Sequence, residues 1–545
     1  MITRRRFIQT MAATGTAAMA VPIHALSSRT QASTGYFGSH PFIDNHPDSV
    51  FIYRTLVDGD KNSAAKKQAG LEFTRAVIVP KTDGVPLTHL VPIKPNIRVN
   101  PTLVGAAKYA TVSGDFVGTD VYFTEGVIEG LKELGLSANQ IFLREVNGTA
   151  TSFTLGYTEM SKRAGVELRF MGQSVGTISA NDIIWTDTPE NLFYRKMPHL
   201  WPINSQNSWL LNIAKMKTHG MCVTLCAKNL QGTLAIPYQL HCNGPTSTLG
   251  IQSAHLNSNF QTDIKANFDR HKADKVPRWD RPGSDWNCGL GMETWASRNT
   301  DNNAALAAKT GLHIIEAVYG RDGDFSRGPN PSGNDNNQNG DPLNYMMNYI
   351  IFGKNAYHVD IIGHWLAGHE PGNLGLFHLA KDRGLAKTFN PMNIPVYEWK
   401  AGGTAALIPL ANFTRTPLKT YYLQRNYSGQ TEPFWHLVNE PYTYPAESPL
   451  GVADKSEPRA FVLHQNHPNP FNPYTAIEYD LPRSGYARLE VYNSNGQLVD
   501  VLVDGYQARG AHMAVWNSHT RSSGTYFYRF RFGDFTETKK MVLLK

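Results

Sequence analysis

Cysteine is scarce in this sequence, with four residues in 545, at Cys222, Cys226, Cys242 and Cys288. None of them has the paired C-x-x-C spacing that is typical of zinc sites and iron–sulfur clusters, so the sequence disfavours both kinds of centre. Cys222 and Cys226 are four residues apart, which fits one face of a helix or two separate strand positions. Buried free thiols and one or two disulfides in an oxidising compartment both stay open.

The positive and negative charges of the chain are also nearly balanced. The formal net charge is +7, of which Arg4, Arg5 and Arg6 supply three charges, and residues 461–545 hold nine basic against seven acidic residues, which leaves +2 for the rest. DNA or RNA binding needs Lys and Arg clustered on one face. We therefore expect no nucleic-acid partner.

A strongly apolar run of about twenty residues, as a membrane span requires, is missing even at the N terminus. Residues 1–30 open with the letters TRRRF at 3–7, continue through a mildly apolar stretch and turn polar after Ala25. This pattern predicts a signal peptide and no transmembrane span. The adjacent Arg4 and Arg5 before Phe7 resemble a twin-arginine signal, which implies export of an already folded chain with any cofactor loaded; a general secretory signal is the alternative.

The C-terminal part is rich in short alternating segments. Residues 461–545 contain about seven strand-like stretches separated by turn signals, which predicts a small β-sandwich. Residues 441–460 are rich in proline and poor in apolar residues, which predicts a linker.

Several motifs of this segment carry a resemblance to a known family. They are NHPNPFNP at 466–473, VYN at 491–493, GQ at 496–497, GTYFY at 524–528 and KKMV at 539–542. These motifs are similar to those of the type IX secretion, type A sorting domain. The resemblance implies an immunoglobulin-like fold, recognition by export machinery at the outer membrane, frequent removal there, and a cell-surface or extracellular location reached through the periplasm. An immunoglobulin-like module that binds carbohydrate or a partner is the alternative.

The middle of the chain alternates strand-like with helix-like runs over residues 45–440, which predicts an α/β domain. Strand candidates are 77–80, 91–94, 141–145, 166–170 and 209–213, and a helix candidate is 124–134. The predicted fold class is thus an α/β main domain followed by a small all-β immunoglobulin-like sandwich.

The motifs of the middle domain resemble those of a second family. They are KPN at 94–96, TD at 119–120, NIAKMKTHG at 212–220, KNLQG at 228–232, IIE at 314–316, VD at 359–360, GHEP at 368–371 and AKDRGL at 380–385. Their order is similar to that of the family called domain of unknown function 362, whose name implies no established activity. Glu316 stands where an aspartate is expected, and the ferredoxin-like cysteine segment of some members is missing, which disfavours an iron–sulfur redox role. More remotely, His219, Lys228 and Gly232 are similar to a segment of nickel-dependent lactate racemases.

Our site hypothesis is an anion-accepting site, open to assistance by a metal or cofactor of unknown kind, because open α/β sheets place their sites at strand ends. Its residues are Lys94, Asn96, Thr218, His219, Lys228, Asn229 and Asp360. Lys94 and Lys228 would pair with a substrate carboxylate or phosphate, while Asn96, Thr218 and Asn229 would add substrate contacts. His219 would be a base or ligand, and Asp360 would orient a ligand. The rival hypothesis is a non-catalytic surface protein whose polar strand-end residues only satisfy loops.

Three further patterns favour an ordinary structural role. The spacing of His358, His364, His369 and His378 contains no i,i+4 pair for a metal face, although His89 and His219 with either Asp360 or Glu316 would be the ligand set if a metal is bound. Residues 172–176 match the G-x-S-x-G elbow of a secreted serine hydrolase with Ser174 as nucleophile, but the residues behind them do not favour the helix that the elbow needs. Residues 335–341 resemble half of a calcium loop, and Met346 occupies the position of its bidentate acid.

Overall fold

The protein is described here from a computed structural model. The structure describes residues 35–59, 62–97, 118–145, 156–170, 179–235, 238, 244–324, 327–329, 334–400, 404–447, 450, 461–483, 485–507, 510–533 and 535–545. The predicted signal peptide, Ser174 and Cys242 lie outside these residues.

The strands and helices of the main region follow one another in a mixed order. The strands are β1 (Tyr36–Ser39), β2 (Val50–Arg54), β3 (Ile78–Lys81), β4 (Val85–Pro86), β5 (Val91–Pro95), β6 (Ile141–Glu145), β7 (Glu167–Phe170), β8 (Ile183–Asp187), β9 (Lys196–Leu200), β10 (Leu210–His219), β11 (Cys222–Val223), β12 (Thr310–Arg321), β13 (Asn344–Gly353), β14 (Val396–Lys400) and β15 (Thr404–Leu407). The helices are α1 (Pro41–Asn45), α2 (Ser63–Val77), α3 (Val121–Glu133), α4 (Tyr157–Ala164), α5 (Cys226–Asn229), α6 (Phe260–Ala273), α7 (Gly289–Leu306), α8 (Ala356–Leu366) and α9 (Gly375–Asp382).

The large sheet is mixed, and its parallel part positions the candidate residues. Strands β7, β6, β5, β10 and β12 are neighbours in that order and run parallel, whereas β13 pairs antiparallel with β12 and with β2. Helices cover both faces of β10, which explains why its whole length is buried. Its Leu211 and Ile213 pack in the core that includes α2 and α3, and Ala214 and Met216 pack in the core that includes α7 and α8. The predicted α/β main region is therefore confirmed.

Strand β10 differs from the sequence prediction in its length. The predicted strand ended at Ile213 with a polar loop after it, but β10 continues to His219. The extension pairs with the long strand β12 on one side and forms a hairpin with β11, in which His219 lies opposite Cys222. The pairing of β10 therefore fixes the orientation of four polar residues, which are Lys215, Lys217, Thr218 and His219.

The C-terminal region is all β. It contains β16 (Val462–Leu463), β17 (Tyr474–Leu481), β18 (Gly485–Asn493), β19 (Leu498–Gln507), β20 (Gly510–Asn517), β21 (Gly524–Phe532) and β22 (Phe535–Leu543). These strands pair antiparallel in two layers, β16-β17-β20 and β19-β18-β21-β22, around a core that includes Tyr479, Trp516 and Phe530. The first layer continues the large sheet, because β20 also pairs with β15. This confirms the predicted all-β region.

Candidate functional site

Several candidate residues meet where parallel strands end. Lys94 on β5 lies beside Asn212 on β10, which lies beside His313 on β12. The parallel strands β5, β6 and β7 end beside an inner part of the longer strand β10, so residues near the ends of β5 and β6 come close to Asn212 there. Successive side chains of a strand point to opposite faces, and the polar residues accordingly form two buried networks, one on each face of β10.

In the first network the Lys94 ammonium is buried and fully hydrogen-bonded. Its Nζ donates to the carbonyl oxygen of Pro95 at 2.6 Å, to Glu145 Oε2 at 2.7 Å and to Asn229 Oδ1 at 3.0 Å. These three acceptors match the three N–H groups of an ammonium. Burial lowers the pKa of Lys94, and the Glu145 carboxylate opposes that shift. Lys94 therefore supports the site by holding Asn229 and the end of β6 in place.

Asn229 connects Lys94 with the centre of the sheet. Its Nδ2 donates to the carbonyl oxygen of Lys94 and to Asn212 Oδ1, both at 2.8 Å. Asn212 Nδ2 is 3.1 Å from His313 Nδ1. Burial lowers the pKa of His313 to about 3, so the ring is neutral near pH 7 and its Nδ1 can accept this bond. Side chains from β5, α5, β10 and β12 are thus fixed by one chain of hydrogen bonds.

Gly232 is the reason that the turn after Asn229 can lie against this network. A Cβ at this position would be 2.4 Å from Lys94 Cε and 2.6 Å from Glu145 Oε1. Both distances are below van der Waals contact, so any larger side chain would displace the buried ion pair. The glycine of the KNLQG motif is therefore explained by packing.

The second network lies on the opposite face and was missed by sequence reasoning. Glu316 Oε2 accepts from Lys215 Nζ at 2.8 Å and from the backbone N–H of Asp120 at 3.0 Å. The Asp120 carboxylate pairs with Lys66 at 3.1 Å. A sequence signal existed, because Lys215 and Glu316 are single charges within the apolar stretches IAKM at 213–216 and IIEAV at 314–318, and a buried charge requires a buried partner.

Lys217 and Asn96 meet at the end of β5. Lys217 Nζ is 3.2 Å from Asn96 Oδ1, and Lys217 is buried while Asn96 is half-buried. The backbone N–H of Asn96 donates to Thr119 Oγ1 at 2.9 Å, and Thr119 donates to the carbonyl oxygen of Ile213 at 2.8 Å. An ammonium beside an amide is suited to binding a carboxylate or a phosphate.

His219 lies apart from Lys94. Asn212 is level with Lys94 in the sheet, and His219 is seven residues farther along β10. At about 3.3 Å per residue, these levels are roughly 20 Å apart. A small ligand cannot contact both residues, so the single site that the sequence predicted divides into two groups, with Lys217 between them.

The second group consists of Thr218 and His219. Thr218 Oγ1 is 2.9 Å from the carbonyl oxygens of both Gly323 and Lys419, and the carbonyl oxygen of His219 accepts from Thr420 Oγ1. Both residues are buried. These contacts attach the segment at 419–420 to the tip of β10.

Asp360 acts on the site through a helix. Its two carboxyl oxygens accept from the backbone N–H groups of Cys226 and Ala227, at 2.8 Å each. These are the first two residues of α5, which also carries Lys228 and Asn229. Burial raises the pKa of Asp360 to about 8, and the two N–H donors oppose that shift. In this geometry Asp360 is a positioning residue for α5.

Residues 91–364 match the sequence profile of the family described as Domain of unknown function (DUF362). The matched range is half of the 545 residues and includes every candidate residue from Lys94 to Asp360. The chain belongs to the DUF362 family. No activity is established for this family, so membership names no reaction.

The comparisons also identify the C-terminal region next to the DUF362 region. Residues 466–544 match the profile described as Secretion system C-terminal sorting domain. The predicted sorting domain is thereby confirmed, and it indicates export to the cell surface or the extracellular space by type IX secretion machinery. In the described ranges, no helix is long and apolar enough to cross a membrane.

One solved structure with local similarity is PorZ, an essential bacterial surface component of the type IX secretion system of Porphyromonas gingivalis. The similarity has 14% sequence identity over 17% of this chain and 13% of the PorZ chain, with a TM-score of 0.13. No curated protein matches the chain.

The four clustered histidines that the sequence analysis singled out are hydrogen-bonded to the backbone. His358, His364, His369 and His378 each hydrogen-bond a carbonyl oxygen at 2.7–2.9 Å. Burial lowers the pKa of His364 to about 4. Among the described residues, no three His, Cys, Asp or Glu side chains are grouped to hold a metal ion, so the set of His89, His219, Glu316 and Asp360 is not brought together.

Two further patterns noted in the sequence are the cysteines and the Asn-rich loop at 335–341, and the structure describes three of the four cysteines and the whole loop. Cys222, Cys226 and Cys288 are buried free thiols. In the Asn-rich loop at 335–341, the Asp335 carboxylate is 2.6 Å from Lys419 Nζ, which places an ammonium where a calcium loop would hold its cation.

Proposed function

We propose that the DUF362 region of this exported protein binds a small carboxylate or phosphate at the carboxyl edge of its parallel strands. The observation that carries the proposal is the contact between Lys217 and Asn96, 3.2 Å apart where β5 ends beside β10. The two buried networks support this arrangement by fixing both strands, and Asp360 fixes the helix that presents Lys228 and Asn229. In the proposal Lys217, Lys228 and Asn96 contact the anion, while Lys94 and Asn229 position them.

The proposal predicts anion-dependent stabilisation of the full chain. We expect at least one member of a panel of small carboxylates and phosphates to raise the melting temperature, because a ligand that binds only the folded state stabilises it. Lys217→Met and Lys228→Ala are each expected to weaken that binding at least tenfold, since each removes a charge from the anion. Isothermal titration gives the affinities.

Two variants make this test specific. Lys162→Ala removes an exposed lysine from α4 and should bind like the wild type. His219→Ala tests how far the site extends, because His219 lies two residues beyond Lys217 on β10, about 7 Å along the strand: a weaker affinity would extend the anion site to His219, and an unchanged affinity would confine it to Lys217 and Asn96. Equal binding by the wild type, Lys217→Met and Lys228→Ala would contradict the proposal.

We further propose the boundaries of the domains and the signal that directs export. Residues 1–30 are a twin-arginine signal peptide, 45–440 the α/β domain, 441–460 a linker and 461–545 an immunoglobulin-like sorting sandwich. The two antiparallel layers around one core support the last assignment.

The signal assignment predicts that replacing both Arg4 and Arg5 by lysine stops export. The precursor should then accumulate in the cytoplasm, which fractionation and immunoblotting would show as a drop of at least tenfold in the exported fraction. Arg6→Lys is the matched control and should be exported normally. Normal export of the double variant would favour a general secretory signal.

A further inference from the structure

The two layers of the sorting domain have different surroundings. The layer β16-β17-β20 joins the large sheet of the DUF362 region, because Ala405 of β15 pairs with Met513 of β20. Ala476 and Met513 are buried in the same core as Tyr397 and Trp399 of β14. The outward face of this layer is therefore already occupied within the chain, whereas the layer β19-β18-β21-β22 has no pairing with the large sheet in the described ranges.

The outward face of the second layer is basic. Ala487, Leu489 and Val491 of β18 are buried in the core, so the alternate residues point outward. The outward side chains on β18, β21 and β22 include Arg488, Glu490, Tyr492, Phe527, Arg529, Arg531, Thr538 and Lys540, which we call the arginine face. With Asp504 of β19 added, it holds four basic and two acidic residues.

The charges of the arginine face are not balanced within the layer. Arg488 lies directly opposite Arg531, an arrangement of like charges that disfavours pairing. One carboxylate serves three guanidinium groups, because Glu490 is 2.9 Å from Arg488, 3.2 Å from Arg529 and 3.4 Å from Arg531. Asp504 pairs with Arg488 at 2.8 Å. A further carboxylate from a partner would relieve this repulsion.

A groove lies within the arginine face. It has a volume of about 260 Å³ and is lined by Tyr492, Phe527, Arg529 and Thr538 together with residues of the turn after β18. The Arg529 guanidinium stacks over the Tyr492 ring at 4.4 Å, and its Nε has no hydrogen-bond partner among the described residues. Arginine and aromatic side chains of this kind are enriched at protein interfaces.

We propose that the arginine face is the surface that the type IX export machinery binds, and that the machinery protein presents carboxylate side chains to it. The position of the face supports this, because strands β14 and β15 of the main region pack against the other layer of the sorting domain. The sequence supports it too. Tyr492, Gly496 and Phe527 belong to the sorting-domain motifs and line the groove, and the first and last of them point away from the core of the domain. The proposal is independent of the anion site.

The test uses the full chain in a host that secretes through the type IX system. Arg488→Gln combined with Arg531→Gln keeps the side chains long and polar but removes two charges, so the fold should be retained. We expect the exported fraction to fall at least tenfold and the periplasmic fraction to rise accordingly. The matched control is Lys162→Gln combined with Lys265→Gln, two exposed lysines on α4 and α6, which should leave export unchanged. Normal export of the double arginine variant would overturn the proposal.

A second measurement does not depend on how the arginine variant folds. A photo-crosslinking amino acid at Thr538 of the otherwise native chain should form a protease-sensitive adduct that contains a component of the export machinery. The same crosslinker at Lys162 should not form it. An adduct that resists protease and contains only anionic saccharide, or no adduct at all, would overturn the proposal of a protein partner.

Discussion

Glu145→Gln is expected to lower the free energy of unfolding by about 3–5 kcal/mol, since it leaves the Lys94 ammonium buried without its counter-charge. Both side chains are at most 4% exposed, so water cannot replace the lost carboxylate. The remaining acceptors of Lys94, Pro95 and Asn229, are neutral. Urea denaturation monitored by tryptophan fluorescence would measure the change.

Two further variants test whether the loss of stability comes from the unpaired charge of Lys94. The double variant Lys94→Met with Glu145→Leu should recover part of the loss, because an apolar pair of similar volume leaves no buried charge unpaired. Glu159→Gln removes a carboxylate from an exposed pair with Lys162 and should change the stability by less than about 1 kcal/mol. A Glu145→Gln chain as stable as the Glu159→Gln chain would refute the role given to the Lys94 network.

Asp360→Asn is expected to become more stable relative to the wild type as the pH rises from about 5 to 7. The pKa of Asp360 is raised from 3.8 to about 8 in the folded chain. Over that interval the unfolded chain has released the proton while the folded chain retains it, so the wild type loses stability with rising pH and the asparagine variant does not. The difference should grow by about 1–3 kcal/mol, measured by urea denaturation at each pH.

Replacing Asp360 by alanine should change the free energy of unfolding more than replacing it by asparagine does. Asp360→Ala leaves the backbone N–H groups of Cys226 and Ala227 buried without acceptors, at a cost of about 2–4 kcal/mol. It should also weaken anion binding, because α5 loses its anchor. Asn62→Ala, which removes the N-cap of α2, is the control and should cost about 1 kcal/mol without affecting binding. A pH-independent difference between the wild type and Asp360→Asn would mean that Asp360 is ionised in the folded chain.

The sequence predicted those parts of the fold that depend on local patterns. Strands β5, β6 and β7 were found within one or two residues, because each is a short apolar run bounded by polar or helical segments. The end of β10 was not found, since its extension to His219 is polar and is stabilised by β12, about one hundred residues away in the chain. Long-range pairing of this kind leaves no periodic signal.

Helix α7 is a second element whose environment cannot be predicted from local sequence patterns. Its sequence is polar, yet Asn299, Asp301 and Asn302 are completely buried. Asp301 accepts from the backbone N–H groups at 192–194 and pairs with Arg383. Polar residues in a helix ordinarily indicate a solvated face, and only the tertiary partners reverse that expectation.

For the candidate site, the sequence predicted a cluster of polar residues but not their contacts. The rule that sites lie at strand ends placed Lys94, Asn96 and Asn229 together, and Lys94 is in fact hydrogen-bonded to Asn229. The rule could not show that Lys94 forms an ion pair with Glu145, because the two residues are 51 positions apart and their contact depends on the register of β5 and β6. The separation of His219 from Lys94 also required the length of β10.

An anion bound beside Lys217 and Asn96 would be visible in crystals of the full chain soaked in selenate, a tetrahedral dianion whose selenium is located by anomalous scattering. We predict a selenium peak within hydrogen-bonding reach of Lys217 Nζ and Asn96 Nδ2, which disappears in Lys217→Met crystals. Peaks found only on the protein surface, or a peak that persists without Lys217, would contradict anion binding at this site.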